Sequence, residues 1–198
     1  MRYKITCTLL NAWLRATDAD ASEEDFSSFL AVLERKPTKD SKAMQEGRRF
    51  EELVNHRAHN LNVVCDVEAE ARAVAQFGQR LANAQLQVRM EKPVTIAGMD
   101  LQLVGVADAL HAGIISDIKR VQRYEYGKYQ HSTQHPMYME LFPEAIRFDY
   151  LIFDGQYCYR EQYRRGDFLP IEDTIEVFLD YLTNADLMEI YKDKWRID

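Results

Sequence analysis

Apolar residues recur every three or four positions over some stretches and alternate with polar ones over others, and the two periods divide the chain into helices and strands. Residues 6–15 carry Leu9, Leu10, Trp13 and Leu14 at helical spacing. Ser22, with Asp25 three residues on, reads as a helix cap before the stripe Phe26, Phe29, Leu30 and Leu33, and Pro37 lies past that helix. Residues 41–59 predict a helix with Met44, Phe50, Leu53, Val54 and Ala58 on its apolar side, and residues 66–84 another through Val67, Ala71, Val74, Phe77 and Leu81. Strand-like residues fill 86–90 and 94–96. Gly98 turns them into 101–108, which 114–119 answers after a turn holding Gly113, so an antiparallel meander is expected. A helix over 132–142 follows, and Pro136 is tolerable only near a helix start, which places Gln134 in the first turn. Asp154-Gly155 between 147–153 and 156–163 is a hairpin signal. A helix over 172–183 and a helical piece with Leu187, Ile190, Tyr191 and Trp195 end the chain.

These elements predict one α/β domain over residues 1–198, with strands and helices mixed, and 198 residues suffice to bury a core without staples. Cys7, Cys65 and Cys158 are scattered with no Cys-x-x-Cys pair, which argues against a structural zinc or iron-sulfur site and for a reducing compartment. No signal peptide or membrane span is visible, so a cytoplasmic protein is expected. The net charge of −7 disfavours a polyanionic partner, but it is unevenly spread. From Lys119 to Arg165 there are 8 Lys and Arg against 6 Asp and Glu, net +2; from Gly166 onward there are 3 against 9, net −6. Lys119, Arg120, Arg123 and Lys128 interleave with Tyr124, Tyr126 and Tyr129, a composition that suits either a nucleic-acid groove or a solvated loop. Arg160 and Arg164 fall on or after the last hairpin strand, as backbone-contact candidates or ordinary edge charges.

The chemistry concentrates at the hairpin. Asp108 closes one strand and Asp117 lies on the next, two residues before Lys119 and on the same face, so two carboxylates and an ammonium meet at one end of a sheet. Buried carboxylates tolerate one another only beside a cation or with one of them protonated. Glu51 lies on the apolar side of its helix one turn from Gly47, where the helix can approach another element, while Glu52 points to solvent. Gln134 and Tyr138, four apart, face one way. His131 and His135 have the spacing of a zinc pair but lack a third ligand, and His56 with His59 fares no better.

Gly47 with Glu51 on a helix, then Asp108, then Asp117-Ile118-Lys119, then Gln134 with Tyr138, in that order, resembles the PD-(D/E)xK nuclease superfamily, and within it the RecB-like and lambda-exonuclease-like branch frequent in phages. The resemblance covers about residues 40–165, with helical ends at 1–39 and 166–198. Asp stands where Glu is commoner before x-Lys, and the four cysteines of the cluster-containing members are absent. The resemblance implies a restriction-endonuclease-like core, a central mixed sheet flanked by helices, and Mg²⁺-dependent hydrolysis of DNA, with Mn²⁺ as substitute. It implies that Asp108, Asp117 and the Ile118 carbonyl hold the metal, with Glu51 bound directly or through water. Lys119 would act on the attacking water and the pentacovalent phosphorane, Gln134 and Tyr138 would position Lys119 or a phosphate, and Arg120, Arg123, Lys128, Arg160 and Arg164 would contact DNA. An exonuclease of recombination, repair or phage DNA processing is the leading expectation, with an endonuclease or nickase, or a non-catalytic binding module on the same fold, as alternatives. A homo-oligomer and a single-strand-annealing or recombination protein are the further partners it suggests, with no membrane.

Overall fold

The computed structural model describes residues 1–37 and 40–197; the limits expected at 39 and 198 fall outside them. The helices are α1 (Cys7–Ala16), α2 (Glu23–Leu33), α3 (Lys42–Ala58), α4 (Glu68–Arg80), α5 (Gln134–Leu141), α6 (Ile171–Asn184) and α7 (Met188–Lys194). The strands are β1 (Arg2–Ile5), β2 (Gln85–Ile96), β3 (Met99–His111), β4 (Ile114–Arg120), β5 (Arg147–Phe153), β6 (Cys158–Tyr163) and β7 (Arg196–Ile197). Helix starts follow the capping signals. The side chains of Thr6, Ser22 and Ser41 accept hydrogen bonds from the backbone N–H groups of Leu9, Asp25 and Met44, and Asp25 closes a capping box on Ser22.

One mixed sheet runs in the order β6-β5-β4-β3-β1-β7, with β2 paired to β3. The meander β2-β3-β4 is antiparallel, β4 and β5 are parallel across the connection that holds α5, and β5 turns back into β6. Each face carries its own core. Helices α3 and α4 cover Phe50, Val54, Phe77, Ile118 and Leu151, while Trp13, Leu103, Ile115, Met137, Phe148 and Phe178 fill the space between the other face and α1, α2, α5, α6 and α7. The fold is therefore a central mixed sheet flanked by helices, with no disulfide, since all three cysteines are free.

Two expectations are corrected. Residues 86–90 and 94–96 are one strand, β2, with Pro93 inside it; β2 pairs only with β3, and a missing N–H on an edge strand forfeits no ladder bond. The ends are not purely helical either. Strand β1 pairs in parallel with β3, Tyr3 opposite Leu101 and Ile5 opposite Leu103, and β7 pairs with β1. A four-residue strand whose partner lies about a hundred residues away leaves no local signal.

This added strand defines where the site forms. The edge of β3 opposite β2 is shared end to end: β1 occupies it as far as Leu103, and β4 takes it up only from Ala109, opposite Ser116. Between these two, residues 104–108 have no strand partner on that side among the described residues.

Candidate active site

Side chains close the gap along β3, and they are the ones the sequence singles out. The Tyr138 hydroxyl donates to the Val106 carbonyl at 2.8 Å and accepts from the Val106 N–H at 3.2 Å, standing in for a missing strand. Gly105 permits this. A Cβ there would press into Tyr138 Cε1 and lie 2.8 Å from Leu141 Cδ1. Two residues beyond Val106, Asp108 Oδ2 accepts the Ile118 N–H at 2.8 Å, so a carboxylate replaces a backbone carbonyl where β3 and β4 part. In a strand the N–H and C=O of one residue point to the same side, so the Ile118 carbonyl faces the same gap. From α5, Gln134 Nε2 donates to Asp117 Oδ1, and Lys119 Nζ lies 2.7 Å from Asp117 Oδ2. Asp117 is 4% exposed. Its Oδ2 receives no well-aligned hydrogen bond, only the ion contact with Lys119.

The spacing of Gln134 and Tyr138 thus has a structural reason. One helical turn apart, they reach Asp117 on β4 and Val106 on β3, and so tie together the two strands that diverge at the site. Tyr138 acts through the backbone of β3, and its hydroxyl touches neither Lys119 nor a carboxylate among the hydrogen bonds it makes.

Burial and mutual repulsion dominate the electrostatics. The Asp108 carboxyl is raised well above the ordinary carboxylate range, first by burial and then by the charges of Asp117 and Glu51. Glu51 is raised as well, by burial and by Asp117, against a hydrogen bond from Gln87 Nε2 to its Oε1 at 2.7 Å. Burial acts to lower the Lys119 ammonium, but Asp117 and Asp108 outweigh it and hold the lysine above its ordinary value. Lys119 therefore stands as a cation and hydrogen-bond donor. The Tyr150 ring backs it, with its centroid 6.0 Å from Nζ, and Tyr129 stacks on Tyr150 at 4.4 Å. Cys7, at the start of α1, is pushed up to about 12 by burial and the Asp117 charge.

Several groups here carried no signal in the sequence. Gln87, opposite Asp108 in the β2-β3 register, has φ +52, an outlying conformation for a residue with a side chain, and the ladder skips that pair. Asn11 of α1 accepts from both the N–H (3.0 Å) and the hydroxyl (2.9 Å) of Thr133, which fixes α1 to the start of α5. Glu161, 3% exposed, accepts from the Tyr124 hydroxyl at 2.7 Å, the Gly127 N–H at 3.0 Å and the Tyr163 hydroxyl at 2.7 Å. The tyrosine-rich loop is thereby anchored, which removes the reading of it as a loosely solvated segment.

Other expectations are altered by the geometry. Gly47 does not mark a close approach, since a Cβ there would meet nothing within 4 Å; α3 comes close to α4 at Gly78, where a Cβ would press into the Arg57 side chain. Among the basic residues, the Arg120 guanidinium stacks over Phe153 at 5.1 Å and donates to the Val121 carbonyl, and Arg123 pairs with Glu125 at 3.1 Å. Lys128, Arg160 and Arg164 are exposed and form no ion pair among the described residues. His135 is fully buried, stacked on Tyr163 at 4.1 Å with Nδ1 3.2 Å from the Tyr150 hydroxyl, while His131 is exposed, so the two do not form a zinc pair.

The donor set at the gap is all oxygen, which suits Mg²⁺ or Mn²⁺ rather than zinc. Asp117 and Glu51 press their charges on the buried Asp108, a repulsion that a divalent cation beside Asp108 and Asp117 would relieve. Among the described residues no three His, Cys, Asp or Glu side chains form a ready-made metal cluster, while the charge of Glu51 acts on Asp108 and that of Asp117 on Glu51.

No family model matches the chain, and no curated protein matches it. Among solved structures it is similar to the crystal structure of SSO0001, with a TM-score of 0.53 and 16% identity over 92% of this chain and 75% of that one. At that identity the likeness supports the α/β fold alone. The Rai1 protein of Scheffersomyces stipitis matches at a TM-score of 0.37 and 13% identity over 92% of this chain and 61% of that one, too remote to bear on the fold. Among the described residues no helix is long and apolar enough to cross a membrane.

Proposed function

We propose that the chain is a Mg²⁺-dependent deoxyribonuclease with a restriction-endonuclease-like core, an exonuclease of the RecB and lambda-exonuclease kind acting in DNA recombination, repair or phage DNA processing. The observation that carries the reading is the convergence of Asp108, Asp117 and Lys119 where β3 and β4 part, with Lys119 Nζ 2.7 Å from Asp117. Asp108, Asp117 and the Ile118 carbonyl would hold the metal, and Glu51 would act on it directly or through water. Bound there, a divalent cation offsets the charge that gathers on the phosphoryl oxygens and lowers the pKa of water. Lys119, held protonated by the aspartates, donates a hydrogen bond to the attacking water and to a non-bridging oxygen whose charge grows in the transition state. Gln134 fixes the rotamer of Asp117, and Tyr138 fixes the backbone of β3 beneath Asp108. A cytoplasmic setting, a ring-forming homo-oligomer and a single-strand-annealing or recombination partner belong to the same reading; enclosure would keep a chain of net charge −7 on a polyanion.

The test incubates the protein with linear duplex, circular duplex and single-stranded DNA, with Mg²⁺, Mn²⁺ or chelator. Metal-dependent release of nucleotides from linear ends supports the exonuclease. Cleavage of the circle makes it an endonuclease, and no cleavage of any substrate overturns the reading.

A further inference from the structure

We propose that helix α1 supplies half of the nucleic-acid seat: the cleft between α1 and the anchored loop after β4 takes one strand, with Arg15 and Lys128 on the phosphates flanking the scissile one. The inference rests on the nuclease reading and adds a wall and a residue to it. A cleft of about 890 Å³ opens over the reactive lysine, with Lys119 and Gln134 reaching into it, Arg15 and Asp18 at the α1 end, and Lys128 and His131 on the loop side. Three cations and one carboxylate line it, the reverse of the balance in a chain with 25 Lys and Arg against 32 Asp and Glu.

The pairing of the cations sharpens this. Arg48, Arg49, Arg72, Arg80, Arg89, Arg123 and Arg147 each have a carboxylate within 4 Å, whereas Arg15 and Lys128 belong, with Arg160 and Arg164, to the cations that have none among the described residues. Arg15 and Lys128 form no ion pair among the described residues; their polar contacts are to backbone carbonyls, Arg15 Nε to Asn11 at 3.4 Å and Lys128 Nζ to Arg123 at 3.2 Å. A cation without a close ion-pair partner on each wall, Arg15 feeling only the more distant charge of Asp25, with the site lysine between them, is an arrangement that a run of consecutive phosphates completes. Both walls are fixed in place, α1 by the Asn11 bonds to Thr133 and the loop by Glu161, so the seat exists before a strand arrives.

The experiment measures cleavage of a labelled single-stranded oligonucleotide by the full chain in Mg²⁺, at several salt concentrations, for the parent, the double variant Arg15→Ala/Lys128→Ala, the charge-keeping Arg15→Lys/Lys128→Arg, and Arg160→Ala/Arg164→Ala. The double alanine variant is expected to raise KM with kcat little changed and to lower the slope of log kcat/KM against log salt by ~1.4, about 0.7 for each phosphate left without its cation on a single strand. The charge-keeping pair should retain the parental slope. A parental KM and slope in the double alanine variant, or a loss of slope found instead in the Arg160/Arg164 variant, would overturn the seat while leaving the nuclease standing. A parent that cuts duplex DNA but not this oligonucleotide would overturn the seat alone, and one that cuts neither would overturn both.

Discussion

Asp108 Oδ2 accepts the Ile118 N–H at 2.8 Å, so a side-chain carboxylate occupies the ladder position that a main-chain carbonyl would hold if β3 and β4 stayed paired. The same carboxylate is buried and repelled by Asp117 and Glu51, which raises its pKa in the folded chain. A carboxyl raised on folding supports the fold while protonated and loses that support as pH climbs from its unfolded value through its folded one. Without metal, placing the Asp108 carboxyl beside Asp117 and Glu51 in a buried site therefore costs stability at pH values above its unfolded value.

Asp108→Asn keeps an acceptor for Ile118 and removes the charge. It should raise the melting temperature in chelator at pH 7 to 8, and added Mg²⁺ should raise the melting temperature of the parent but not of the variant. Differential scanning fluorimetry checks both; an equal Mg²⁺ shift in the two proteins would remove Asp108 from the metal site.

His135 provides a pH dependence of opposite sign. Burial lowers it to about 4, so the folded state binds its proton less readily than the unfolded chain does. Its contribution is complete above the ordinary histidine value near 6.5 and is lost as pH falls towards 4, with a slope of up to ~1.4 kcal/mol per pH unit. Urea unfolding between pH 7 and 4 should show that slope in the parent and a shallower one in His135→Phe.

Gly105→Ala places a methyl group against Tyr138 and Leu141, whose positions are fixed by the Val106 bonds and the core. Overpacking of this kind costs ~1–3 kcal/mol. Because the strain falls on the tyrosine that plugs the gap in β3, hydrogen exchange at the Val106 amide should accelerate by more than the global loss of stability explains.

Glu161→Ala removes the acceptor of two hydrogen bonds that hold the loop after β4, from Tyr124 and Gly127. The Gly127 amide should lose its exchange protection and nucleic-acid affinity should fall, while Mg²⁺ binding at the aspartates stays at the parental level.

The hairpin of β3 and β4, the Ser22 cap and most of the buried faces of α3 and α4 were legible because each is written within a window of a dozen residues, although Met44, Val67 and Ala71, expected on those faces, are exposed. The order of Asp108, Asp117, Lys119, Gln134 and Tyr138 was legible too, yet not what each does. That Tyr138 serves the backbone of Val106 depends on the gap left between β1 and β4, and β1 has no local signature. Gln87, Asn11 and Glu161 were invisible for the same reason: their partners lie 36, 122, and 37 and 34 residues away in the chain.

Under the proposed function, Lys119 would stabilise the transition state at an aspartate-held metal. The most direct measurement is the single-turnover rate of phosphodiester hydrolysis by Lys119→Ala and Lys119→Arg against the parent, with Mg²⁺ affinity measured calorimetrically on the same preparations. The account predicts a loss of roughly 10²–10⁴-fold in rate, little rescue by arginine, whose planar fork does not match the ammonium, and Mg²⁺ affinity retained. Hydrolysis by Lys119→Ala at close to the parental rate would contradict it.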